Sequence, residues 1–118
     1  SSLAPTIVTK DGDPHIVLGA PGGTQIAMGL LQAIINVIDF DMTMLEAVSA
    51  PRFSSSSNII YVTNRIPEYV THDLEKHDYH VVRSPLNFGI AAVHGIRIID
   101  GKMEGGADPS HDGVALAI

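Results

Sequence analysis

The chain has no cysteine and no tryptophan, and only three tyrosines and three phenylalanines among its 118 residues. Lack of cysteine excludes disulfides, thiolate metal sites and thiol catalysis, but it leaves the compartment open, because many exported proteins also lack cysteine. Basic residues are scarce too: seven Lys and Arg stand against thirteen Asp and Glu, for a net charge of −6. The seven are scattered along the chain, which excludes the electrostatic footprint of a nucleic-acid or anionic-membrane binder. Long hydrophobic runs are also missing. The longest, Ile26 to Ile38, is too short for a membrane span and carries Gln32 and Asn36, so a soluble chain is expected.

What is present suffices for a core. Apolar residues make up 45% of the chain, enough for one domain or a fragment of one spanning residues 1–118. The chain opens on Ser1 without an initiator Met, which reads as a matured subunit or a piece of a longer polypeptide.

Leu3 to Thr9 and His15 to Ala20 are short runs rich in β-branched residues, and the Asp11-Gly12 turn between them predicts a hairpin. After Pro21-Gly22-Gly23, residues Thr24 to Asp39 read as a helix that is apolar nearly all round. Its polar residues, Gln25, Gln32, Asn36 and Asp39, form one narrow stripe. Such a helix needs a sheet on one side and further protein on the other. Asp41 is the expected N-cap of a second helix, Met42 to Ala50, stopped by Pro51, with Ser54 to Ser57 as a loop. Asn58 to Thr63 reads as a strand, Pro67 to His77 as a helix and His80 to Arg83 as another strand. Asn87 to Ile99 has strand composition throughout and is expected to pair with Lys102 to Ala107 across the Asp100-Gly101 turn. The fold class is therefore α+β.

Two features carry chemistry. Pro21-Gly22-Gly23 lies between a strand and a helix N-terminus, where backbone N–H groups and the helix dipole favour negative charge. A developing acyl-transfer oxyanion suits such a turn, although an ordinary strand-to-helix turn explains the same residues. Phosphate binding fits less well, because neither GxGxxG nor GxxxxGK[ST] occurs. Ser1 and Ser2 supply two hydroxyls. A Ser at a true N-terminus would be an N-terminal nucleophile with its own amine as base, and the opposing reading is that Ser1 is only where the chain was cut.

These residues bring the sequence to a resemblance. Ser1-Ser2-Leu3-Ala4-Pro5-Thr6, Gly19-Ala20-Pro21-Gly22-Gly23, Glu46-Ala47-Val48 with Ala50-Pro51-Arg52-Phe53, and Gly105-Gly106-Ala107-Asp108-Pro109 occur in the order found in the γ-glutamyltranspeptidase family. The likeness covers essentially the whole chain and corresponds to the C-terminal part of that family's small subunit. It implies an N-terminal nucleophile hydrolase-like αββα sandwich, of which this chain supplies only part. It also implies transfer or hydrolysis of γ-glutamyl groups, as from glutathione, through an N-terminal Thr upstream of this chain. By the same resemblance, Ser1 and Ser2 hold the glutamyl α-carboxylate, and Gly22 and Gly23 are the oxyanion-hole donors. Partners would be the rest of the small subunit and the large subunit of one precursor, without nucleic acid, cofactor, metal or membrane span. The compartment would be periplasmic or extracellular. The family commonly has Arg after Asp-Pro, where this chain has Ser110-His111, a departure that bears on the role of the tail and on substrate preference. Two alternatives stand beside this reading. One is a cephalosporin or glutaryl acylase of the same superfamily; the other is a noncatalytic subunit whose apolar helix docks on a partner.

Other residues are read as structural. His72, His77 and His80 do not share one helix face and read as surface histidines, and His94 reads as a core or edge histidine. Glu46 and Arg52 are expected to pair at the exit of the second helix. Glu68, Asp73, Glu75 and Lys76 form a solvated helical face.

Overall fold

A computed structural model describes residues 3–55 and 57–118. Ser1 and Ser2 lie outside the described residues, as does Ser56. Among the described residues, β1 (Thr6–Lys10) and β2 (Asp13–Gly19) form the expected hairpin, and β6 (His94–Ile99) and β7 (Lys102–Gly106) form the second one. The hairpins join through antiparallel pairing of β2 with β6, giving the order β1-β2-β6-β7. A smaller sheet, β3-β4-β5, combines β3 (Phe53–Ser54) with β4 (Ile59–Val62) and β5 (His80–Arg83). The parallel β4 and β5 are linked by helix α3 (Glu68–Lys76).

The pleat gives the larger sheet two different faces. On the inner face Ile16 and Leu18 are buried against helix α1 (Ile26–Ile38) and helix α2 (Met44–Ser49), through Leu30, Ala33, Val37, Met44 and Val48. Inner-face Gly95 and Gly106 are register partners, and both lie where α2 meets the sheet. A Cβ on Gly106 would sit 2.7 Å from the Met44 carbonyl carbon and the Leu45 nitrogen. The two glycines therefore let the α2 backbone rest directly on the sheet. The outer face carries the cross-strand row Ile7, Val17 and Ile96, which is exposed.

The polar stripe on α1 holds the next element. Gln32 donates to the Phe53 carbonyl at 2.8 Å and accepts from the Phe53 N–H at 3.0 Å, so its amide pairs with β3 as a strand would. Asn36 donates to the Ala47 carbonyl. Leu31 and Ile38, on the far side of α1, are exposed. The helix thus has its sheet on one side and an open apolar flank on the other.

In its secondary structure the chain differs from sequence expectation at three places. The N-cap of α2 is Thr43, not Asp41: Thr43 Oγ accepts from the Glu46 N–H, and Glu46 returns the bond to the Thr43 N–H, a complete capping box. Asp41 has a left-handed backbone and pairs with Arg97. Ser54 belongs to β3 and is buried, because Gln32 and β4 flank its strand. Residues 87–93 do not extend β6. Ile90 and Ala91 are left-handed, at φ 60° and 63°, and the carbonyls of Gly89 and Ala91 accept from Arg52 instead of a neighbouring strand.

Candidate active site

Strand register decides what meets at one end of the large sheet. Thr6 pairs with Leu18, and Gly19 with His94. The segment before β1, the turn after β2 and the loop before β6 therefore all leave from the same sheet end. The turn is Pro21-Gly22-Gly23. Gly22 has φ +145° and Gly23 φ +60°, conformations that side chains other than hydrogen rarely tolerate. A 3-10 turn, Gly23–Gln25, then leads into α1, so the positive end of the helix dipole lies beside the glycines.

Ala91 fits into a notch between Gly22 and Gly29. A Cβ on Gly22 would approach the Ala91 Cα to 2.7 Å, and one on Gly29 would approach the Ala91 Cβ to 2.9 Å. The Ala92 N–H donates to the Pro21 carbonyl at 3.1 Å. The loop and the glycine turn thus shape each other.

Behind them lies a buried polar hub. Arg52, 2% exposed, donates to the carbonyls of Val48, Gly89 and Ala91 and forms an ion pair with Asp108. Asp108, fully buried, also accepts from the Val93 N–H at 3.1 Å and from both the N–H and the hydroxyl of Ser110, at 2.8 and 2.7 Å. Burial alone would raise the Asp108 carboxyl pKa. The Ser110 hydrogen bonds and the Arg52 charge outweigh it and hold the group below the ordinary aspartate value. The expected Glu46–Arg52 pair does not form, since Glu46 caps α2 and Arg52 turns inward to Asp108.

Between the turn and the loop opens a cleft of about 540 Å³, with Gly22, Phe88 and Ala91 in its walls and Ser110 and His111 at its side. Of the residues singled out in the sequence, Gly22 lines this cleft and Gly23 follows it in the same exposed turn. His72, His77 and His80 are exposed on and after α3, and His94 is half-buried, its Nδ1 accepting from the Asp108 N–H. Among the described residues no three His, Asp or Glu gather as a metal site. Sequence reasoning missed the pairing of Arg52 with Asp108. The two stand 56 positions apart, and no local spacing announces the contact.

Comparison with known proteins gives this geometry its context. The family model described as Gamma-glutamyltranspeptidase matches residues 1–118. The acylase ACY 1 proenzyme of Pseudomonas sp. strain V22 is 37% identical over all of this chain and 21% of its own length. The glutathione hydrolase proenzyme of Bacillus subtilis is 33% identical, again over all of this chain and 20% of its own. A crystal structure of a mutant γ-glutamyltranspeptidase from Helicobacter pylori superposes with a TM-score of 0.86 at 36% identity, covering 94% of this chain and 62% of that one. The chain spans about a fifth of the length of the curated relatives it matches. With its α+β architecture and the family model matching from end to end, the chain belongs to the γ-glutamyltranspeptidase family.

Proposed function

We propose that this chain is the C-terminal portion of the small subunit of a γ-glutamyl transferase and hydrolase, completing an active site whose nucleophile lies upstream. The observation that carries this reading is the convergence at one sheet end. The positive-φ Gly22-Gly23 turn opens on a cleft, and the segment leading into β1 departs beside it.

In this reading the upstream Thr hydroxyl oxygen attacks the γ-carbonyl of the donor and gives up its proton. The backbone N–H groups of Gly22 and Gly23 hold the resulting oxyanion. The C–N bond breaks, and the amine leaves with the proton. Water or an acceptor amine then attacks the acyl-Thr ester, the acyl group departs with it, and the Thr hydroxyl is restored. The hydroxyls of Ser1 and Ser2 hold the substrate α-carboxylate; this role rests on the family motif. The partners are the remaining small-subunit segment and the large subunit, and the compartment is outside the cytoplasm, which cell fractionation tests. Ser1 as nucleophile and a purely noncatalytic role are disfavoured by a family match that runs through the chain from end to end.

A second reading, a glutaryl-type acylase, is favoured by the 37% identity to an acylase proenzyme over the full chain. The test uses the full assembled protein with γ-glutamyl and glutaryl anilides side by side. The primary reading expects faster hydrolysis of the γ-glutamyl compound and a raised KM for it in Ser2→Ala. Faster glutaryl hydrolysis would establish the second reading, and an unchanged KM in Ser2→Ala would remove the carboxylate role.

A further inference from the structure

We propose that the cleft beside Gly22 is the subsite for the amine half of the scissile amide, and that it selects amines with an apolar body and a hydrogen-bond donor. The inference rests on the proposed function and extends it to a part of the substrate that the motifs do not address.

Strand order sets the direction. In the order β1-β2-β6, the segment before β1 and the loop before β6 leave on opposite flanks of the strand that carries the glycine turn. In the proposed function the acyl group belongs with the motif that precedes β1 in sequence and the carbonyl with Gly22, which leaves the β6 flank for the amine. That is where the cleft opens.

Its walls are apolar. Leu86, Phe88, Pro21, Ala91 and Ala92 are among the residues that line it. Leu86 is 63% exposed, so it has apolar surface left to cover when an amine enters. The wall is also held in place before any ligand arrives. The Arg65 guanidinium stacks 4.1 Å from the Phe88 ring centroid, and Arg65 Nε donates to the Asn87 carbonyl at 3.0 Å. The Asn64 N–H donates to the Leu86 carbonyl at 2.9 Å. A volume of about 540 Å³ lies within the usual range for small-molecule sites.

Ser110 and His111 supply polar groups to the lining. Asp108 is ionised, so it takes the one hydroxyl proton of Ser110 at 2.7 Å. The 3.2 Å contact between Ser110 Oγ and His111 Nδ1 is then a bond donated by the ring. With Nδ1 donating, the Nδ1–H tautomer of the ring presents Nε2 as an acceptor, suited to an N–H on the incoming amine.

The test is steady-state hydrolysis by the assembled enzyme of amides that share one acyl group and differ in the amine: glycine, phenethylamine and phenylalaninamide. Either acyl series serves, γ-glutamyl or glutaryl, so the result is independent of which of the two readings above holds. The wild type is expected to favour the phenethylamide over the glycyl amide by about tenfold or more in kcat/KM. Leu86→Asp and, separately, Phe88→Ala are expected to bring that ratio toward one. His111→Ala is expected to remove the advantage of the phenylalaninamide over the phenethylamide. Ratios that stay at wild-type values in the Leu86 and Phe88 variants overturn the inference. A wild type inert toward both acyl series overturns the proposed function, and this inference falls with it.

Discussion

Asp108 satisfies three neighbours at once, and its two oxygens tie the C-terminal segment to the glycine turn. Through Arg52 it fixes the carbonyls of Gly89 and Ala91, and through the Val93 N–H it fixes the start of β6. Because its carboxyl is held below the ordinary range, the folded chain binds that proton more weakly than the unfolded one. The stability it adds is complete above the unfolded aspartate pKa of about 3.9 and is lost as pH falls through the folded value. Asp108→Asn should flatten that acid-side loss. At neutral pH it should cost about 3–5 kcal/mol, since Arg52 is left buried and unpaired. Urea midpoints measured across pH check both effects, and an acid limb unchanged from wild type would contradict the assignment. Arg52 Nε and Ser54 Oγ are the buried side-chain atoms, among the described residues, that find no partner.

At the scale of elements, the capping box of α2 gives a direct test. Thr43→Ala removes the side-chain acceptor for the Glu46 N–H and should cost about 0.5–2 kcal/mol, while Asp41→Ala should leave the start of α2 intact. Gly106→Ala places a methyl group against the α2 backbone and should cost about 1–3 kcal/mol by overpacking, which thermal unfolding would show. Both hairpins were legible, because Asp11-Gly12 and Asp100-Gly101 are turn pairs between β-branched runs. The α2 cap was misread: the Thr43-to-Glu46 spacing carries the capping-box signal, but Asp41 is the more conspicuous capping residue. The loop before β6 was not. Its composition of Ile, Ala and Val is that of a strand, and what bends it is contact with Arg52 and Gly22, partners distant in sequence. The glycine turn was legible as a strand-to-helix junction, whereas the cleft beside it depends on that loop and on Ser110 and His111.

On the scale of the whole molecule, the chain presents more apolar surface than its own layers cover. Ile7, Val17 and Ile96 form a continuous exposed row across three strands, and Met103 on β7 is 77% exposed. Contiguous patches of this kind mark interaction surfaces, and a flat apolar sheet face suits a second sheet packed about 10 Å away. If the proposed assembly holds, Ile96→Glu in the full precursor should prevent stable association of the mature parts, seen as loss of the heteromer on size-exclusion chromatography; a heteromer of wild-type stability would contradict it. The central claim is that this chain completes the site of an assembled acyl-transfer enzyme through its glycine turn. Its most direct test is kcat for γ-glutamyl anilide hydrolysis by the assembled Gly22→Ala protein, in which the added methyl meets Ala91 and displaces the turn. The account predicts a fall in kcat of about 10²–10³-fold, the scale of a lost oxyanion donor; a kcat equal to wild type would contradict it.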